Sequence, residues 1–220
     1  NNVTATATGA NGNYGVYNTS SSSPTMNNVT ATATGGLNGY GVYNLSSSSP
    51  TMNNVTATAT GGSGENFGVY NSGGSPTMNN VTATATGGAD STGVYNSSSS
   101  PTMNNVTATA TDGTNNYGVY NKSFSSPTMN NVTATATVGT NNYGVINDFS
   151  TPTMNNVTAT ATGGTKALGV YNTDSTVKIR NSSLTGTGAT DLNYSIQTNG
   201  QQTAYLAHTT LDGTVGPVTE

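Results

Sequence analysis

The chain has no cysteine, no tryptophan, a single histidine, and only four basic and eight acidic residues among 220. Without cysteine there is no disulfide framework and no thiolate chemistry. The whole basic set is Lys122, Lys166, Lys178 and Arg180. A nucleic-acid binder needs a basic stripe to displace counterions, and a polybasic membrane contact needs a cluster of cations; neither exists here. No apolar run is long enough to span a bilayer, so membrane insertion is not expected either. His208, the one histidine, has no serine and aspartate set with which it would form a catalytic constellation. These shortages leave a chain dominated by Gly, Ser, Thr and Asn, a composition shared with disordered segments.

What is present argues for order. The stretch Met26-Asn27-Asn28-Val29-Thr30-Ala31-Thr32-Ala33-Thr34 recurs whole from Met52, Met78, Met103, Met129 and Met154, and a copy lacking only its Met opens the chain. The repeated valine stands at 3, 29, 55, 81, 106, 132 and 157, a period of 26 or 25 residues. A sustained period in that range is the signature of a solenoid.

Within one unit, Val29 to Thr34 alternates apolar and hydroxyl residues, the pattern of a half-buried strand. Val29, Ala31 and Ala33 face the core and Thr30, Thr32 and Thr34 face out. Gly35-Gly36-Leu37-Asn38-Gly39 breaks the strand. Tyr40-Gly41-Val42-Tyr43 reads as a second short strand, with Tyr40 and Val42 expected inward and Tyr43 outward. Asn44 closes it, and a serine-rich loop leads through Pro50 to the next coil. β-branched residues and recurring Gly and Pro weigh against helix. The expected fold is all-β: a right-handed parallel β-helix of 25–26-residue coils, in which each coil is stable only when stacked on its neighbours.

Asn28, Asn54, Asn80, Asn105, Asn131, Asn156 and Asn181 hold one position in successive coils. Asn tolerates the left-handed conformation of a sharp bend, and a bend there lets Met26 and Val29 both point inward. Stacked amides along this column would form a structural ladder, although duplication alone would also copy the residue. The Asn-Val-Thr that follows matches an N-glycosylation pattern. If the Asn faced the interior no glycan could be accommodated, so these matches are read as fortuitous and as a mild sign of a bacterial source.

Residues 1–176 are expected to form seven near-identical coils. Residues 177–220 are expected to form divergent coils and a C-terminal cap, with Val177–Gly186 as an eighth coil and Ala204–Gly213 as a ninth, His208 taking the Asn position. The chain starts with Asn inside a repeat, so an upstream segment or further coils are expected before it, or end-to-end stacking of one copy on another.

The repeat Ser-Pro-Thr-Met-Asn-Asn-Val-Thr-Ala-Thr-Ala-Thr-Gly-Gly, with Tyr-Gly-Val-Tyr-Asn-Ser-Ser-Ser-Ser, resembles right-handed β-helix repeat proteins of bacterial surfaces and phage fibres. The resemblance covers essentially the whole chain and implies the fold and a place outside the cell or on its surface. β-helix polysaccharide lyases, hydrolases and tailspikes are similar in architecture, but their catalytic residues have no counterparts here.

The remaining candidates lie on the surface. Glu65, Asp90 and Asp112 fall in the first loop of three successive coils, where they would form an acidic patch or a weak calcium site, or simply solvated turns. Asp148 and Asp174 are read in the same way. No catalytic residue, cofactor site or metal site is assigned. The outward residues of the main strand are all threonine: Thr30, Thr32, Thr34, Thr56, Thr58, Thr60, Thr82, Thr84, Thr86, Thr107, Thr109, Thr111, Thr133, Thr135 and Thr137, with equivalents in the first and seventh coils. Adjacent coils would space them about 4.7–4.9 Å apart, and alternate residues about 6.6 Å apart. This Thr-x-Thr grid is similar to the ice-binding faces of β-solenoid antifreeze proteins. Tyr17, Tyr43, Tyr70, Tyr95, Tyr120 and Tyr171, interrupted by Ile146, form a second column, either stacked for structure or offered as a sugar-binding or adhesive stripe. The expected function is a non-catalytic, extracellular structural or adhesive solenoid. The alternatives are ice binding through the threonines or a polysaccharide-binding, tailspike-like module. The expected partner is a second copy or a surface such as polysaccharide or ice.

Overall fold

The structure is a computed structural model describing residues 2–9, 11–200 and 203–216. Its twenty strands, with no helix among the described residues, wind into a parallel β-solenoid. Each regular coil contributes two strands, one to an eleven-stranded sheet and one to a nine-stranded sheet. In the second coil these are Thr25–Thr34 and Asn38–Asn44; in the fourth, Thr77–Thr86 and Asp90–Ser97. We call the two sheets the threonine sheet and the tyrosine sheet.

Register between coils is fixed residue to residue: Val29 pairs with Val55, Ala31 with Ala57, Thr32 with Thr58, and the same correspondence continues into the next coil. The alternation in the sequence dictates this. A slip by one residue would turn every Val and Ala outward and every Thr into the core. In the longer first strand the ladder skips Asn28, whose φ is 54°, and the equivalent Asn in later coils is also left-handed. The strand bends there, so Met52 and Val55, three residues apart, are both buried. In the eighth coil the bend splits the strand into Val177–Arg180 and Ser183–Thr187, with Asn181 at φ 52° between them. His208 occupies the corresponding bend one coil later, at φ 49°.

The tyrosine sheet departs from strict alternation. Its pairing runs Tyr40 to Phe67 and then Val42 to Val69, passing over Gly41 and Gly68. A Cβ on Gly41 would lie 2.6 Å from the backbone nitrogen of Thr58 and 2.8 Å from the carbonyl carbon of Ala57, both in the opposite sheet. The two sheets therefore meet backbone to backbone at this glycine, and the position has no room for a side chain. The strand reverses its alternation there. Tyr40, expected inward, instead turns outward beside Tyr43, while Val42 stays in the core at 0% exposure.

The core is thin and regular: one Met, one Val and two Ala from the threonine sheet against one Val from the tyrosine sheet in each regular coil. A column of asparagines joins them. Asn18, Asn44, Asn71, Asn96, Asn121, Asn147 and Asn172 form an unbroken chain, each Nδ2 donating to the next Oδ1 at 2.8–2.9 Å. It ends with Asn172 donating to the Thr198 hydroxyl at 3.4 Å. An amide carries both a donor and an acceptor, so a column of them satisfies itself without water.

Candidate functional site

The two outer faces lie on opposite sides of the core and differ in chemistry. On the threonine sheet, Thr30, Thr32 and Thr34 pair with Thr56, Thr58 and Thr60, and these with Thr82, Thr84 and Thr86. The files continue through Thr107, Thr109 and Thr111 to Thr133, Thr135 and Thr137. They extend to Thr4, Thr6 and Thr8 on one side and to Thr158, Thr160 and Thr162 on the other. All twenty-one threonines are exposed or half-buried. The eighth coil continues the files as Ser183, Thr185 and Thr187. The face is thus three parallel files of β-hydroxyl and methyl groups, uncharged over seven coils.

Beside this grid run two asparagine columns. Asn54 donates to Asn28 at 3.1 Å, Asn80 to Asn54 at 3.2 Å, Asn105 to Asn80 at 3.1 Å and Asn131 to Asn105 at 3.1 Å. Asn156 donates to Asn131 at 2.6 Å, and the column shifts sideways when Asn181 donates to Asn155. A parallel column links Asn27, Asn53, Asn79, Asn104 and Asn130. The left-handed column is exposed throughout, so burial does not exclude modification of Asn28 and its equivalents; the interior placement considered in the sequence reading does not hold. The buried column through Asn44 went unrecognised as a ladder in the sequence. Its signal was the same Asn following every Gly-Val-Tyr, with Ile146 in place of the Tyr in one coil.

On the tyrosine sheet the reversal at glycine puts two aromatic files side by side. One file runs through Tyr17, Tyr43, Tyr70 and Tyr95, with successive centroids 5.4, 4.8 and 4.9 Å apart and planes 10–25° from parallel. The other runs through Tyr14, Tyr40 and Phe67, at 5.0 and 5.3 Å and 8–12°. Between files the rings meet edge to face, as for Tyr40 and Tyr43 at 4.7 Å and 65°. Both arrangements are favoured by the ring quadrupole. Burial among rings raises the phenol pKa of Tyr43 to about 12, with Tyr70, Tyr14 and Tyr17 adding to the effect, and that of Tyr120 to about 12, with Asp148 adding to it. Tyr40, Tyr70, Tyr95, Tyr117 and Tyr143 are raised for the same leading reason. These phenols therefore stay protonated at neutral pH and present hydroxyl donors.

The acidic trio is divided. Glu65 and Asp90 are neighbours in register at the start of the tyrosine strands, whereas Asp112 sits in a turn at φ 60° and lines a different recess with Thr114 and Thr140. Asp90 Oδ1 accepts from Asn115 Nδ2 at 2.7 Å. Among the described residues there is no group of three or more His, Cys, Asp or Glu side chains placed to hold a metal ion. Asp148 pairs in register with Lys122.

No protein-family model matches the chain, and no curated protein matches it. Among solved structures, the catalytic unit of a thermostable GH87 alpha-1,3-glucanase from Streptomyces thermodiastaticus strain HF3-3 aligns at a TM-score of 0.32 with 12% identity. The alignment covers 85% of this chain and 49% of that one, so the chain spans about half the glucanase unit's length.

Proposed function

We propose that the protein is a non-catalytic solenoid scaffold that acts outside the cell by lying against an extended, repetitive surface, and that ice is the surface its threonine face fits. The observation that carries this reading is the grid itself. Twenty-one outward positions in seven coils are threonine, held in register by the ladder beneath them. Folding asks only that the inward positions be small and apolar; many residues would serve outward. A grid with strand spacing of about 4.8 Å, carrying a methyl and a hydroxyl at each node, orders water on a lattice instead of binding one solute. A stack in which every internal strand has two partners holds that lattice in register. The same stack also suits a structural or adhesive element, with a nearly uncharged surface that does not repel a second copy or a polysaccharide coat.

Thr84 and Thr109 are register partners at the centre of the grid. The purified chain is expected to shape ice crystals and to open a gap between melting and freezing temperatures. The T84K/T109K variant should lose both effects while keeping its circular dichroism spectrum and melting temperature. A wild-type chain without effect on ice growth removes the ice reading and leaves the structural or adhesive one.

A further inference from the structure

The chain has three phenylalanines, and two of them stand in the open. Phe67 is 5% exposed, whereas Phe124 is 82% and Phe149 49% exposed. Both lie in the turn that leads from a tyrosine strand to the next threonine strand, in successive coils. The backbone holds them side by side. Phe124 N donates to the Phe149 carbonyl at 2.7 Å, and the ring centroids are 6.4 Å apart with planes inclined at 55°. Both residues have positive φ, 65° and 48°; in the same turn of other coils Gly73, Ser98 and Asp174 take the left-handed place. A bulky side chain is strained in that conformation, and an exposed ring returns little to the fold. As with the outward threonines, folding does not ask for these residues.

The pair offers something the tyrosine files do not. Stacked along the axis, the tyrosines cover one another's faces and present edges and hydroxyls. The splayed phenylalanines leave ring faces open. Polar groups of both kinds border them. Lys122 and Asp148 pair in register just before the two rings. Asp148 in turn pairs with Thr173, so the exposed Asp174 follows beside Phe149. On the threonine side the hydroxyls of Ser126 and Thr151 lie 2.7 Å apart, and both residues are exposed. The ammonium donates hydrogen bonds, the carboxylates accept them and the hydroxyls do both.

Size and charge select the occupant. Two aromatic side chains supply about 300–500 Å² even when wholly covered. Each side of a stable protein interface gives up about 800 Å². A lipid surface would call for cations around the rings. Here Lys122 is matched by Asp148, Asp174 adds a negative charge, and the chain carries a net charge of −4. A pyranose ring answers on every count: it is small, it has an apolar C–H face, and its edge carries hydroxyls that donate and accept. The negative face of an aromatic ring attracts such C–H groups. We propose that Phe124 and Phe149 form a platform for a pyranose residue of a polysaccharide, with sugar hydroxyls donating to Asp148 and Asp174 and accepting from Lys122. The platform lies at the turn, outside the threonine grid, and does not depend on what the grid binds.

The test uses the full chain labelled with carbon-13 in its phenylalanine rings. Only three residues then give signals, and F124S and F149S assign them. The labelled chain is titrated with the methyl glycosides of glucose, galactose, mannose and N-acetylglucosamine and with their disaccharides. At least one sugar is expected to shift the Phe124 and Phe149 signals and to leave that of the buried Phe67 in place. F124S/F149S should keep the melting temperature, weaken binding of that sugar by about tenfold or more, and leave any effect on ice unchanged. Should F124S/F149S fail to fold, D148N/D174N gives the reading: weakened binding supports the platform and unchanged binding overturns it. Three further results each overturn the proposal: no shift with any sugar, equal binding by a folded F124S/F149S, or shifts produced by vesicles of phosphatidylcholine and phosphatidylglycerol but not by sugars.

Discussion

Asn28 and Asn44 belong to one coil and carry the same amide, yet Asn28 is exposed at φ 54° and Asn44 is 1% exposed inside the core. The first is chosen for its backbone, because few residues other than Gly accept the left-handed region without strain. The second is chosen for its side chain, which must supply one donor and one acceptor to a column that water does not reach. Cutting the buried column should therefore cost more than cutting an exposed one. In N96A, the Nδ2 of Asn71 loses its acceptor and the Oδ1 of Asn121 loses its donor. Each orphaned buried group costs roughly 1–3 kcal/mol. N79A breaks a half-buried outer column at a residue without positive φ and is expected to cost less than about 1 kcal/mol. Urea unfolding of the two variants decides the matter; equal losses would mean that the buried column adds nothing beyond the side-chain volume. The bend at Asn28 was legible in the sequence, since Met26 and Val29 could not otherwise both face inward. The buried role of Asn44 was not, because its side follows from the reversal at Gly41, and that reversal follows from contact with the other sheet.

The same contact separates the two strands of a coil in how much their sequences disclose. Val-Thr-Ala-Thr-Ala-Thr alternates without interruption, so the facing of every residue, and with it the threonine grid, could be read directly. Tyr-Gly-Val-Tyr is too short for its alternation to be tested internally, and continuing the period back from Val42 turned Tyr40 the wrong way. A glycine whose missing Cβ would sit 2.6 Å from Thr58 marks an approach that no local pattern encodes. Two adjacent aromatic files result, and with them a pH response. Burial raises the phenol pKa of these tyrosines in the folded chain above the ordinary value, to about 12 for Tyr43 and Tyr120. The folded state then holds protons that the unfolded state has released. Stability is fully present below about pH 10, the unfolded phenol value, and declines as pH rises through the folded values. Ultraviolet titration should show phenolate appearing late and together with loss of the folded circular dichroism signal. Tyrosines that ionise at their ordinary pKa in a chain that remains folded would contradict the packed files.

At the scale of the molecule the coils are interchangeable units whose contacts reach only their neighbours, and stability should follow their number. The repeat also tolerates irregularities in the aromatic face, where Thr92 and Leu168 stand in the inner file and Ile146 in the outer one. Deleting Thr77–Pro101 tests that interchangeability. It removes 25 residues and joins Pro76 to Thr102, which is the register partner of Thr77. The strand Glu65–Ser72 then lies beside Asn115–Lys122, placing Phe67 directly against Tyr117 and Val69 against Val119. The shortened chain should fold cooperatively, with a urea m-value lower by about a tenth, in proportion to the surface no longer buried. It keeps six coils of threonine grid and should retain its effect on ice, if somewhat weakened. A chain that aggregates or melts without cooperativity would mean that the fourth coil is needed for more than its place in the stack.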